Sequence, residues 1–298
     1  MSTATPEPAR AARAGDPADL LRGAMRRHDE NFPLAFPLLD RARRADMAAV
    51  YAFCRTTDDI GDEGPGGPAE RLAALDLWEE EVRRAFEGRP RDRRLDPLAR
   101  AAARRSLGLE EFRRLIEANR MDQRRDRWDT FEALKAYCTH SATPVGRMVL
   151  KVLGHTDRWR IGMSDSTCMG LQLVNFWQDL RRDLERYGRV YLPEEDMIAF
   201  GVEAADLRRT RARPELRRLI AFEVGRARQL LEEGAPLARF VTPRAALDVR
   251  AFTQGGLAVC RAIADQDYDT LRARPAPGRV GRARILVAAA GALVRGGG

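Results

Sequence analysis

The stretch "GLQLVNFWQDLRRDLERYGRVYLP", Gly170–Pro193, combines a helical apolar pattern with a single row of polar residues. Its apolar residues recur at helical spacing. One polar row runs among them, at intervals of three, four and four: Gln172, Asn175, Asp179 and Asp183. A polar row flanked by large apolar side chains does not suit a helix face in water. The pattern therefore predicts one wall of a cavity that receives a polar head group and an apolar tail.

A second acidic segment, "YAFCRTTDDIGDE" at Tyr51–Glu63, begins with aromatic and apolar residues. Asp58 and Asp62 are four residues apart, so on a helix they would share one side. If this helix faces the first, four carboxylates meet in an apolar pocket, which is unfavourable without cations. Mg²⁺ prefers oxygen ligands and usually shares one or two carboxylates with a substrate phosphate. The two segments thus predict Mg²⁺ and a diphosphate, with Arg55 and Arg189 within reach of phosphate oxygens.

Three other aspartate pairs have the same spacing, and we expect them to be surface carboxylates paired with arginine. Asp92–Asp96 lies in an Arg- and Pro-rich loop, Asp122–Asp126 lies in the charged stretch "MDQRRDRWD", and Asp265–Asp269 lies near a chain break. Because the spacing recurs in such settings, it indicates a site only where apolar residues flank it.

Apolar residues at three- and four-residue spacing predict an all-α protein. The helical segments are Met47–Asp59, Ala69–Phe86, Phe131–Leu153, Ile161–Leu184, Leu216–Leu231 and Ala245–Ala264. No linker divides the chain, so we expect a single domain over residues 22–290, with tails at 1–21 and 291–298. Pro144 lacks an amide hydrogen, so the third helix should kink between His140 and Thr143.

Composition bears on three questions: nucleic-acid binding, the cellular compartment and contact with a membrane. The 298-residue chain has a net charge of +8, and two of its 52 basic residues are lysines, which leaves 50 arginines. Acidic residues are interleaved with them, so nucleic-acid binding is the weaker interpretation. The four cysteines are scattered, which fits reduced thiols in the cytoplasm. The apolar run at 285–294 is too short to span a bilayer. Peripheral contact with the inner membrane face and the oligomeric state are left open.

The two acidic segments resemble the motifs of the squalene/phytoene synthase family. The resemblance extends from "HDENFPLAFPLL" at 28–39 to "DYDTLRARP" at 267–275. It implies an all-α isoprenoid synthase fold around a central hydrophobic cavity, with Mg²⁺ as cofactor and a prenyl diphosphate as substrate. Three stretches, "ENFPLAFPLL", "DDIGDEG" and "YCTHSATPVGRMVLKVLG", are most similar to the bacterial hydroxysqualene synthases of hopanoid and squalene pathways.

The resemblance also implies a role for each matching residue. The metal ligands would be Asp58, Asp62, Asn175, Asp179 and Asp183, with the four aspartates essential for catalysis. The substrate-binding residues would be His28, Asn31, Phe32, Arg55, Gln172, Asn175, Arg189 and Tyr268. Tyr51 and Tyr137 would line the pocket beside the reacting carbons.

The reaction that the resemblance implies converts presqualene diphosphate and water to hydroxysqualene and diphosphate. Its carbocation would meet one placed water in an otherwise dry cavity. Polar groups beside the Pro144 kink, namely His140, Ser141 and Thr143, are candidates for holding that water. The alternative enzyme is a head-to-head synthase that joins two farnesyl or geranylgeranyl diphosphates, because the same motifs would serve it. The sequence contains no GxGxxG after a strand, which argues against a Rossmann site for NADPH without excluding other NADPH binding.

Overall fold

Helices make up the regular structure of residues 39–278, the part of the chain that this computed structural model describes. The ten α-helices of this part are α1 Arg41–Asp58, α2 Pro68–Phe86, α3 Asp96–Arg105, α4 Leu109–Arg124, α5 Phe131–Ser141, α6 Thr143–Leu153, α7 Arg158–Tyr187, α8 Glu194–Phe200, α9 Pro214–Gly234 and α10 Pro243–Asp265. Short 3₁₀ turns occur at Arg93–Leu95, Asp206–Arg208 and Ala235–Arg239. No strand occurs between residues 39 and 278, and the predicted all-α class is confirmed.

Several predictions concern residues outside the described part. These are the domain ends at residues 22 and 290, both tails, the apolar run at 285–294, and the side chains of His28, Asn31 and Phe32. Within residues 39–278, no helix is both long enough and apolar enough to cross a membrane.

Helix α7, the longest of the described helices, contacts α5, α6, α9 and α10 and carries the polar row from Gln172 to Asp183. It begins where the Asp157 side chain accepts a hydrogen bond from the amide of Arg160, and it ends at Gly188, whose φ of 70° favours glycine. A Cβ on Gly170 would lie 2.8 Å from Leu231 Cγ and 3.1 Å from Leu231 N. Because glycine has no side chain, α9 can pack directly on α7 at Gly170, and this contact fixes the orientation of the polar row.

The predicted kink at Pro144 is confirmed as a complete break between two helices. Helix α5 ends at Ser141, and α6 begins at Thr143, with Ala142 between them at φ −122° and ψ −52°. Pro144 stands in the first turn of α6, where its missing N–H is tolerated. The same missing N–H leaves the carbonyl of His140 without its helical donor, so α5 cannot continue.

Helix α1 ends in a widened turn that the sequence pattern does not predict. Residues Asp59–Glu63 form a π-helical turn, in which bonds run from residue i to i+5 and which is frequent at functional sites. Gly61 lies inside this turn and is buried against α4. A Cβ there would lie 2.0 Å from Asn119 Oδ1, so only glycine lets the acidic turn approach α4 this closely.

Candidate functional site

The two acidic segments face the same polar cavity, which has a volume of about 280 Å³. Helix α1 and its π-helical turn contribute Asp58 and Asp62. Helix α7 contributes Gln172, Asn175, Asp179 and Asp183. Tyr137 and Ser141 from α5 and Arg189 from the loop after α7 are the other predicted residues in this lining. The structure thus brings together all four motif aspartates.

A second, larger cavity of about 410 Å³ adjoins the first. Its walls are mostly apolar and come from α1, α6, α7 and α10, with Leu237 from the 3₁₀ turn before α10. Asp58 and Gln172 line both cavities, so they mark the border between them. Tyr51 and Arg55 line this apolar cavity rather than the polar one. The arrangement matches the predicted chamber for a polar head group and an apolar tail.

Two of the motif aspartates have strongly raised pKa values. Desolvation raises the pKa of Asp58 to about 7, and the charge of Asp62 adds to the increase. The Asn119 amide opposes this increase by donating to Asp58 Oδ1 at 3.4 Å. Desolvation likewise raises the pKa of Asp183 to about 7, with repulsion from Asp179 as the next cause. Carboxylates this close together are stable in the ionised form only when positive charge lies beside them in the cavity.

Arg189 supplies part of that positive charge. Its side chain is buried, with 8% of its area exposed, and its Nη1 donates to Asp62 Oδ1 at 2.8 Å. The same nitrogen lies 3.7 Å from Asp122 Oδ2. Arg55, in contrast, pairs with Asp59 and is partly exposed. Arg189 therefore holds the acidic turn of α1 against α4 in addition to facing the cavity.

The prediction that Asp122 belongs to a solvated surface is wrong. Asp122 lines the polar cavity and accepts hydrogen bonds from the hydroxyls of Tyr137, at 2.8 Å, and Tyr191, at 3.3 Å. Desolvation raises its pKa to about 6, although the charge of Arg189 opposes the increase. The signal that could have found it is the recurrence of Leu115, Ala118 and Asp122 on one face of α4, because all three line the cavity.

The other two discounted pairs differ from one another. Asp92 pairs with Arg94 in a loop, as predicted. Asp269 pairs with Arg217, but its side chain is only 4% exposed, so the prediction of a surface carboxylate is wrong for it. It accepts the Ala212 amide at 2.9 Å and fastens the loop after α10 to the loop before α9.

Arg274 is a residue of the site that the sequence patterns do not single out. Its Nε and Nη2 donate to the two carboxylate oxygens of Asp179 at 2.5 and 3.0 Å, a bidentate pair. Nη2 also donates to Gln178 Oε1 at 3.2 Å. The loop after α10 thereby covers one end of the acidic row on α7.

The structure does not bring Tyr268 to the lining that residues 39–278 form around either cavity. Asp267 and Tyr268 adopt left-handed φ values of 52° and 57°, which turn the chain sharply after α10. Tyr268 packs against the hydrophobic core at that turn. This sharp turn depends on tertiary contacts, and the residue types there do not reveal it.

The donor set of the polar cavity fits a hard divalent cation. Its candidate ligands are carboxylate and amide oxygens, the atoms that Mg²⁺ prefers. Within residues 39–278, no three His, Cys, Asp or Glu side chains converge on one point closely enough to hold an ion by themselves. A cation here would therefore share its coordination with a further oxygen ligand, as phosphate-bound Mg²⁺ commonly does.

An all-α fold with opposed acidic segments beside an apolar chamber places this protein in the isoprenoid synthase class. The chain belongs to the squalene/phytoene synthase family, whose profile matches residues 25–282.

Among solved structures, the chain is similar to a squalene synthase, HpnC, from Alicyclobacillus acidocaldarius. The two are 44% identical with a TM-score of 0.77, and the match covers 85% of this chain and 94% of that one. A hydroxysqualene synthase from Rhodopseudomonas palustris is 36% identical over 74% of each chain. A phytoene synthase from Arthrospira platensis is 33% identical over 75% of this chain and 77% of its own.

Proposed function

We propose that this protein is a Mg²⁺-dependent isoprenoid synthase that converts presqualene diphosphate and water to hydroxysqualene and diphosphate. The observation that carries the proposal is the border at Asp58 and Gln172, where an acidic cavity meets an apolar one. A diphosphate ester with a long hydrocarbon tail has the matching division of polarity. The similarity to a squalene synthase and a hydroxysqualene synthase supports this particular substrate and product.

The Mg²⁺ ions would be held by Asp58, Asp62, Asn175, Asp179 and Asp183, which supply oxygen ligands on two facing walls. Bound Mg²⁺ would neutralise the charge that develops on the departing diphosphate. Arg189 faces the same cavity and would contribute a fixed positive charge there.

The remaining side chains would protect and stabilise the carbocation. The apolar walls of the second cavity exclude water, which would otherwise react with the cation at random. Around the polar cavity, Tyr191 stacks on Phe176 with ring centroids 3.8 Å apart, and Tyr137 lies beside both rings. Aromatic faces attract a cation without forming a covalent bond to it, so this cluster suits the carbocation at the reacting end of the prenyl substrate.

A second candidate function is the head-to-head condensation of two farnesyl or geranylgeranyl diphosphates. The similarity to phytoene synthases at 33% identity favours it, since that value is close to the 36% of the hydroxysqualene synthase. Both candidates use the same acidic walls, so the substrate distinguishes them.

The test is a product assay in ¹⁸O-labelled water with Mg²⁺, in which presqualene diphosphate and farnesyl diphosphate are supplied separately. A labelled C30 alcohol from presqualene diphosphate alone is expected. Consumption of farnesyl diphosphate would instead establish the condensing function. Asp58→Asn should abolish turnover. The matched control is Asp92→Asn, because Asp92 also has an aspartate four residues later but pairs with Arg94, and this variant should keep its activity.

We further propose a cytoplasmic location with peripheral contact at the inner membrane face. All four cysteines are free thiols, and the net charge of +8 would favour anionic lipid. A C30 alcohol that is otherwise hydrocarbon also needs an apolar destination. Cosedimentation with anionic and neutral vesicles tests the membrane contact, and equal recovery in the two pellets would contradict the charge argument.

A further inference from the structure

The water that would enter the product needs a specific holder, and three polar side chains lie at the helix break around Ala142. This question rests on the proposed function, because a condensing enzyme would add no water. The three candidates that the sequence leaves open are His140, Ser141 and Thr143. Their hydrogen bonds in the structure distinguish among them.

His140 and Thr143 are already engaged by neighbouring backbone. His140 Nδ1 lies 3.0 Å from the carbonyl oxygen of Ala136 and 3.2 Å from Thr139 Oγ1. Thr143 Oγ1 donates to the Thr139 carbonyl at 3.2 Å, and the residue is 1% exposed. Neither is part of the lining that residues 39–278 form around the two cavities.

Ser141 differs from both. It is the last residue of α5, and it lines the polar cavity. Its Oγ is buried and has no hydrogen-bond partner among the described residues. An unpaired buried hydroxyl is unfavourable, and another staggered χ1 rotamer would let it meet a water in the cavity that the residue lines.

The residues that line the cavity together with Ser141 include the motif carboxylates and the aromatic cluster. Tyr137 is one helical turn earlier on α5, and its hydroxyl proton is already donated to Asp122 at 2.8 Å. Ser141 and Tyr137 both line the cavity, together with Gln172 and Phe176. A water at Ser141 would thus lie in the same cavity as the motif carboxylates and next to the aromatic cluster.

We propose that Ser141 Oγ holds the water that attacks the carbocation. When the carbon–oxygen bond to diphosphate breaks, its electron pair leaves with the diphosphate. The held water then forms a carbon–oxygen bond with the cation, using an oxygen lone pair. The proton that the water loses goes to the released diphosphate, and the Ser141 hydroxyl is unchanged at the end.

The test compares product partition in three folded variants under the ¹⁸O assay. Without a held water, the cation would lose a proton to the released diphosphate and give a C30 hydrocarbon. Ser141→Ala should therefore lower the ratio of labelled alcohol to this hydrocarbon about tenfold, while diphosphate release falls no more than about threefold. Ser141→Cys keeps the side-chain size but replaces oxygen with a weak acceptor, so it should shift the ratio in the same direction. Ser141→Thr retains a hydroxyl and should restore most of the alcohol. Thr139→Ala is the matched control, because the Thr139 hydroxyl bonds the Ala136 carbonyl, and it should leave the ratio unchanged.

The outcomes separate this proposal from the proposed function. If the unmodified protein makes no alcohol from presqualene diphosphate, the proposed function fails and the role of Ser141 fails with it. If the unmodified protein makes the alcohol and Ser141→Ala or a folded Ser141→Cys makes it in the same ratio, the function stands and Ser141 is not the holder. Circular dichroism and the melting temperature establish that each variant is folded.

Discussion

Replacing Gly61 with alanine tests how closely the acidic turn must approach α4. The new Cβ would lie 2.0 Å from Asn119 Oδ1, 2.9 Å from Asn119 Cγ and 3.1 Å from Asn119 Cβ. The side-chain amide of Asn119 could rotate away, but the Cβ of Asn119 is fixed to the backbone of α4. The acidic turn and α4 must therefore move apart. Rotation of the amide would also break its hydrogen bonds to Asp58 Oδ1 and to the carbonyl of Leu115.

The expected magnitude follows from these contacts. Overpacking of this kind costs about 1–3 kcal/mol, and each lost hydrogen bond costs about 1 kcal/mol. Alanine gains about 0.5–1 kcal/mol over glycine in helical backbone, which offsets only part of the loss. Gly61→Ala should therefore lower the free energy of unfolding by about 2–4 kcal/mol, since the overpacking and the two lost hydrogen bonds together outweigh the gain from alanine. Displacement of the Asp58 carboxylate by a fraction of an ångström should lower kcat/KM by roughly 10- to 100-fold.

Gly225→Ala is the matched control, since Gly225 lies within α9 and a Cβ there meets no atom within 4 Å. It should raise the unfolding free energy by about 0.5–1 kcal/mol and leave kcat/KM unchanged. Urea unfolding followed by circular dichroism measures both variants, and turnover is measured at saturating Mg²⁺. If Gly61→Ala were as stable and as active as the unmodified protein, the argument from close approach would be refuted.

The charges of the site lead to three further predictions. Arg189→Met removes the cation beside Asp122 and should lower the free energy of unfolding by roughly 3 kcal/mol at pH 8, where the Asp122 carboxylate is ionised. Because the pKa of Asp122 in the folded protein is raised to about 6, this carboxylate becomes neutral toward pH 5, and the loss measured by urea unfolding should become smaller there. Asp58 and Asp183, with pKa values of about 7, stabilise the metal-free fold most below pH 4 and lose that contribution as pH rises toward 7. Mg²⁺ with inorganic diphosphate needs these groups ionised, so its affinity by calorimetry should weaken from pH 8 to pH 6, and a flat profile would contradict this. Arg274→Gln frees a carboxylate that arginine occupies, so the same titration should show tighter Mg²⁺ binding by a few-fold, whereas unchanged or weaker binding would contradict competition.

The sequence predicts six helical segments from their apolar periodicity, which is local, but it does not predict α3, α4 or α8. All six predicted helical segments occur, and the one that contains Pro144 is divided at Ala142, as the missing amide requires. The four motif aspartates share one cavity because each pair occupies one face of its own segment. These features depend on spacing within a single element, which is what a sequence displays.

The sequence does not reveal features that depend on pairing between distant elements. Asp122 looks solvated among its arginines, and only the hydroxyls of Tyr137 and Tyr191, from two other parts of the chain, show that it is buried. Arg274 pairs with Asp179, which lies 95 residues earlier in the sequence, so no local pattern predicts the contact. The widened turn at Asp59–Glu63 is also unpredicted, because its i to i+5 bonding depends on packing against α4.

The shared border at Asp58 and Gln172 has a consequence for the design of inhibitors. A diphosphate mimic in the polar cavity and an aliphatic fragment in the apolar one would end next to each other, so a short linker could join them without bending either. The second fragment would then bind as an intramolecular event, and the linked compound could exceed either fragment in affinity by about 10²- to 10⁴-fold. A substitution at Gln172 should reduce the gain from linking more than it reduces the binding of either fragment alone.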